Sequence, residues 1–172
     1  MRVAATAIGT IAVLLLFGAH VHADPKSDVE ELMNGLLPFG RQMLEKYGSF
    51  SPYGAALQPD GKKVTLGGYP GSESWENKDT LALLQAGCRK GALKGEYKAT
   101  AIFYDVRVTA PGADVKVDAI AVALDHRDGY SVIVYFPYTI TEGAVEIGDL
   151  FSVLGKNRIF VPDPADSKLE RP

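Results

Sequence analysis

From Pro25 onward the chain switches between two hydrophobic rhythms. Val29, Leu32, Met33, Leu36 and Leu37 recur at three- and four-residue spacing, and the pattern resumes through Gln42, Met43, Leu44 and Tyr47. That is the stripe of an amphipathic helix. Asp24 suits the N-cap, Pro25 the first helical position, and Asp28, Glu30 and Glu31 place acidic charge in the opening turns. Gly48 is the expected stop, and Pro38 is expected to kink or interrupt the helix. A second helix is predicted from about residue 77 to 94, with Leu81, Leu84, Gln85, Cys88 and Ala92 on one face. Gly87, Gly91 and Gly95 run beside that face, which predicts a close approach to a sheet, with Gly95 ending the helix.

The other rhythm has period two. Ala55-Ala56-Leu57 and residues 63–69 flank Pro59-Asp60-Gly61 and read as a first hairpin. Long strands are expected over 97–109, 115–127 and 130–138, the last two joined at Asp128-Gly129. A two-residue turn there would pair Leu124 with Ile133 and Val122 with Tyr135, and would set Ala119, Ala121 and Ala123 beside Val132, Val134 and Phe136. Both faces are apolar, so this region should be covered on two sides. From residue 142 the chain reads as extended, with a frayed tail over 163–172. The fold class is therefore α+β: helix, β-hairpin, helix, three-strand meander and extended C-terminal tail, a roughly five-stranded antiparallel sheet with two main helices. No repeat or linker divides residues 24–162, which read as a single domain.

Over residues 50–138 this element order resembles the profilin and roadblock type of α+β domain, which implies a five-stranded antiparallel sheet with helices on its faces. The final helix of a roadblock domain has no counterpart in residues 142–172. Gly95-Glu96-Tyr97-Lys98-Ala99, Asp118-Ala119-Ile120-Ala121-Val122 and His126-Arg127-Asp128-Gly129-Tyr130 also resemble a set of small bacterial proteins without assigned function. That resemblance implies a fold and no activity.

The first 23 residues follow a different logic. Arg2 precedes an apolar run over 3–17, and Val21-His22-Ala23 presents short side chains where a signal peptidase reads. Cleavage following Ala23 is expected, giving a secreted or periplasmic protein. A retained anchor is the alternative, but the run is short for about 30 Å of hydrocarbon. Cleavage would also remove His20 and His22, leaving His126 as the last histidine and Cys88 as the single cysteine. A Cys-rich or multi-His zinc site within one chain is then excluded, an intramolecular disulfide is impossible, and no cofactor is expected. With 18 basic against 21 acidic residues among 172, and no basic run, neither nucleic acid nor an anionic membrane is an expected partner.

Candidate chemistry is sparse. Asp105 interrupts an apolar strand and needs a partner, for which Arg107, two residues on, or Arg41 would serve in a buried ion pair. His126, with Asp125, Arg127 and Asp128, reads as the solvated end of a charged hairpin. Cys88, on an apolar helix face, reads as an inert core thiol. No nucleophile motif, phosphate loop or dinucleotide fingerprint occurs. Phe50, Tyr53, Tyr69 and Trp75 fall in connections around the first hairpin, where loop aromatics commonly make binding surfaces, or else seal a core edge. The reading that follows is an exported noncatalytic binding or interaction domain for a protein or small molecule at those aromatics. An acid-base or metal-assisted hydrolase using Asp105, Asp125 and His126, and a structural envelope protein, are the alternatives.

Overall fold

A computed structural model describes residues 24–67 and 77–161. The expected signal segment, Tyr69, Trp75 and the expected tail over 163–172 lie outside the described residues. Helix α1 spans Pro25–Tyr47, with Asp24 as N-cap, Pro25 in its first turn and Gly48 closing it in the left-handed conformation. Pro38 lies inside this helix and does not split it. Its buried positions are Asp28, Val29, Leu32, Gly40 and Leu44.

Strands β1 (Tyr53–Leu57) and β2 (Lys63–Gly67) form the first hairpin. Gly61, at φ 87°, completes its turn, and the Asp60 carboxylate accepts the Lys62 backbone N–H. Helix α2 (Asn77–Leu93) follows and ends in a Schellman motif: the Gly95 N–H donates to the Ala92 carbonyl and the Glu96 N–H to that of Gly91. The glycine stripe does not bring α2 onto the sheet as expected. A side chain at Gly87 would meet nothing within 4 Å, whereas one at Gly91 would collide with the Tyr97 ring.

Strands β3 (Ala99–Thr109), β4 (Lys116–His126) and β5 (Ser131–Thr141) make an antiparallel meander. The sheet order is β2-β1-β3-β4-β5-β6, with β6 (Ala144–Ile147) and β7 (Phe151–Leu154) both on the outer edge of β5. The α+β class holds, with two more strands than the five expected. Both extra strands come from the region read as an extended tail. Glu142 and Gly143, at φ 52° and 84°, form the two-residue turn that returns the chain onto β5. A one-residue bulge then separates β6 from β7, because Tyr138 pairs with Ile147 but Tyr135 with Phe151.

The register of the meander corrects the expected one. Leu124 pairs with Val132, Val122 with Val134 and Ala121 with Tyr135. The reason is the turn: the His126 N–H bonds the Tyr130 carbonyl around three residues, with Gly129 at φ 91°, instead of the expected two-residue loop. One residue of slip exchanges faces. Ile120, Val122 and Leu124 therefore join Val134 and Phe136 in a core under α1 that also holds Val29, Leu32, Leu44, Phe50, Tyr53 and Phe103. The alanine row faces the opposite side, where Leu84 and Cys88 of α2 pack with Ile102 and Ile159. The two helices thus cover opposite faces of one sheet. Among the described residues no helix is long and apolar enough to cross a membrane.

Candidate functional site

The sequence-predicted site residues do not come together. Phe50 and Tyr53 are buried, so they build the core and are not the exposed binding surface expected of them. Tyr53 stacks on Phe103 with ring centroids 4.8 Å apart and donates its hydroxyl to the Leu36 carbonyl, while the Gly40 N–H faces the Tyr53 hydroxyl oxygen. The phenol is thereby wedged against the α1 backbone two residues either side of Pro38, and burial pushes its pKa well above the ordinary value.

The expected Asp105–Arg107 pair is replaced by two separate contacts. Thr109 pairs with Lys116 across the turn, so Asp105 lies opposite Ile120 and Arg107 opposite Asp118. Arg107 makes an exposed ion pair with Asp118 at 3.2 Å, and Asp105 accepts the Tyr138 hydroxyl at 2.9 Å. Burial pushes the Asp105 carboxyl above the usual range, with the Tyr138 hydroxyl opposing and nearby Asp118 adding to it. Arg41 is taken by Glu45 at 3.0 Å on its own helix.

Asp125 and His126 are adjacent in an extended strand and so point to opposite faces. His126 is not a solvated turn residue. It is 2% exposed, with Nε2 3.2 Å from Asp28 Oδ2 and Nδ1 accepting the Asp128 backbone N–H at 3.0 Å. A nitrogen that accepts an N–H carries no proton, so Nε2 is the protonated one and donates to Asp28. Lys98 reaches the same Asp28 oxygen at 2.7 Å. This buried Asp28–His126–Lys98 cluster ties the start of α1 to the start of β3 and the end of β4. Asp105 shares that face but pairs six positions along β3 from Ala99, the partner of His126, or about 20 Å away. Asp105, Asp125 and His126 therefore do not converge. Among the described residues no group of three His, Cys, Asp or Glu side chains could hold a metal ion.

Asp125, on the α2 face, organises a different region. It accepts the Ser131 hydroxyl at 2.6 Å and the backbone N–H groups of Arg158 and Ile159. Burial raises its pKa, and those donors with the Arg158 charge oppose the rise. Asn157, at φ 43°, donates its backbone N–H to Ser131 Oγ at 2.8 Å and its side-chain amide to the His126 carbonyl at 3.1 Å. Residues 155–160 are in this way fastened over the alanine row. Between that segment, α2 and the sheet remains a cavity of about 220 Å³. Ile102, Ala123 and Ile133 form its apolar floor, Gln85 and Tyr104 add polar groups, and Lys156 and Arg158 stand at its rim. Burial, with Tyr135 nearby, pushes the Tyr104 phenol up to about 12, so its hydroxyl keeps its proton at neutral pH.

Sequence reasoning missed this cavity because its parts come from α2, four strands and the C-terminal segment. A second hollow, about 350 Å³, lies between β2 and α2, but Leu66, Leu83, Leu84 and Cys88 give it few polar groups. Cys88 is buried, as its helix face implies, and burial with the Asp125 charge pushes its thiol up to about 12. No family model, no curated protein and no solved structure matches the chain.

Proposed function

We propose that this is an exported, noncatalytic binding domain whose ligand is a small molecule held in the cavity between α2, the alanine row and residues 155–160. The observation that carries the reading is the combination of an apolar floor with a few convergent polar groups, which is how small-molecule sites are built. The volume is below the roughly 300–1,000 Å³ usual for drug-sized ligands, so the ligand is small. At about 30 Å³ per water molecule the space corresponds to roughly seven waters, and to a ligand of a similar number of non-hydrogen atoms. The aromatic surface proposed from sequence gives way to this site, since two of its members, Phe50 and Tyr53, are core residues.

The test is an NMR titration of the chain from Asp24 onward with neutral, anionic and cationic fragments of that size. Amide shifts at Ala123, Ile133 and Ile159 in at least one class, abolished by Ala123→Phe, are the expected result. Absence of such shifts in every class would remove the reading. Export is tested separately, by the intact mass of protein recovered outside the cytoplasm, which should begin at Asp24.

A further inference from the structure

The cavity is not electrically even. Its floor side chains Ile102, Ala123 and Ile133 carry no charge, and the one carboxylate among its described lining residues, Asp125, already accepts a hydroxyl and two backbone N–H groups. Lys156 and Arg158 are exposed at the rim, and neither has a carboxylate oxygen within 4.0 Å among the described residues, although the Arg158 charge is felt by Asp125. The backbone of Arg158 is fixed from both sides: its N–H is held by Asp125, and its carbonyl accepts Arg89 Nε at 3.2 Å. Two cations are thus delivered to one end of an apolar hollow by a fastened segment, and the Arg158 charge already acts on Asp125 from that end.

We infer, resting on the small-molecule reading of this site, that the ligand is a small monocarboxylate with an apolar body. The body lies on Ile102, Ala123 and Ile133, and the carboxylate faces outward between Lys156 and Arg158. The orientation follows from charge, because Asp125 makes the inner end unfavourable for an anion and the rim favourable. The apolar floor selects against inorganic phosphate, which would gain the rim charges and nothing from the hollow. A guanidinium also matches a planar carboxylate through two parallel N–H donors. The Tyr104 hydroxyl and the Gln85 amide are the neutral donors within the same cavity.

Benzoate, benzamide, benzylamine and inorganic phosphate are matched probes for a calorimetric and NMR comparison at moderate salt. Benzoate should bind at least about tenfold more tightly than benzamide, with benzylamine and phosphate weaker still. Lys156→Gln and Arg158→Gln should each weaken benzoate several-fold and leave benzamide unchanged, and the Arg158→Glu variant should prefer benzylamine. These substitutions spare the backbone bonds that fasten the segment, and a thermal melt of each variant confirms that the fold persists. Equal binding of benzoate and benzamide would overturn the carboxylate inference and leave the site standing. Phosphate binding that matched benzoate would overturn the apolar body. Silence of all four probes at Ala123 and Ile133 would overturn the inference, and the other fragments of the titration above then decide the small-molecule reading itself.

Discussion

Tyr53 and Gly40 fit each other so closely that a Cβ on Gly40 would stand 2.6 Å from the Tyr53 hydroxyl oxygen. The phenol cannot swing away, since Phe39, Phe50 and Phe103 all contact its ring edge-on or in a stack. The glycine that weakens α1 by propensity is what lets β1 dock against its backbone.

Gly40→Ala should therefore destabilise the wild type by about 1–3 kcal/mol through overpacking. With Tyr53→Phe already in place, the nearest remaining atom is Cζ at 3.6 Å, an ordinary contact, and the same alanine should be neutral or stabilise by up to about 1 kcal/mol. Urea denaturation of the four proteins measures this. Additive effects would mean that the hydroxyl and the glycine are independent.

Asp28 holds two donors, Lys98 Nζ and His126 Nε2, and removing it leaves both without their acceptor. Asp28→Ala should cost about 3 kcal/mol, in the range for breaking a buried pair. Lys98→Met leaves Asp28 with the histidine and should cost less. Equal denaturation midpoints for Asp28→Ala and wild type would show that solvent reaches the cluster freely.

Cys88 is 1% exposed, and its thiol is pushed up to about 12, so it is neutral as well as covered at pH 7. Labelling by a thiol reagent should proceed at the rate of opening of the α2 face, and be immediate in denaturant. Cys88→Ser should cost about 1–3 kcal/mol. Fast labelling of the native protein would contradict this burial.

Burial raises the carboxyls of Asp105 and Asp125 above their ordinary value. Asp105 and Asp125 hold their protons more tightly folded than unfolded, so the native state binds more protons between the ordinary value of 3.8 and the raised ones. Their contribution therefore favours the fold as pH falls through the raised values towards 3.8, and is lost as pH rises above them. Asp105→Asn keeps an acceptor for Tyr138 and abolishes the titration. Its stability should vary less with pH across that window than the wild type's, as measured by denaturant midpoints at half-unit pH steps. Superimposable pH profiles for the two proteins would be the contrary result.

What could be read in advance follows from how local each signal is. The helices, the α2 core face and the long strands are written in patterns of seven to twelve residues, and they stand as expected. Register is not local in that sense. Asp128-Gly129 serves equally in a two-residue loop and in the three-residue loop with a bulged glycine that forms, and the choice moves every residue of β5 to the other partner. Asp28 did leave a trace, since it lies one turn before Leu32 on the buried stripe of α1. Its partners, 70 and 98 positions away, left none. The cavity is less legible still, as its cationic rim depends on Asn157 taking a left-handed turn that only the completed sheet can fasten.

The position of β3 and β4 in the middle of the sheet, with a helix over either face, sets an order for how the molecule breathes. Amides of Ala101, Ile102, Phe103, Ala121 and Val122 have strand neighbours on both sides and packed side chains above and below, so deuterium should enter them only through global unfolding. The outer strands meet solvent along one edge, and β7 carries Leu154 at 88% exposure. Exchange should reach it first, in small openings that leave the centre closed. Residues 155–160 follow directly on that edge, so the wall of the cavity is attached to the part of the sheet that opens most readily, and a ligand could enter or leave without the core ever yielding.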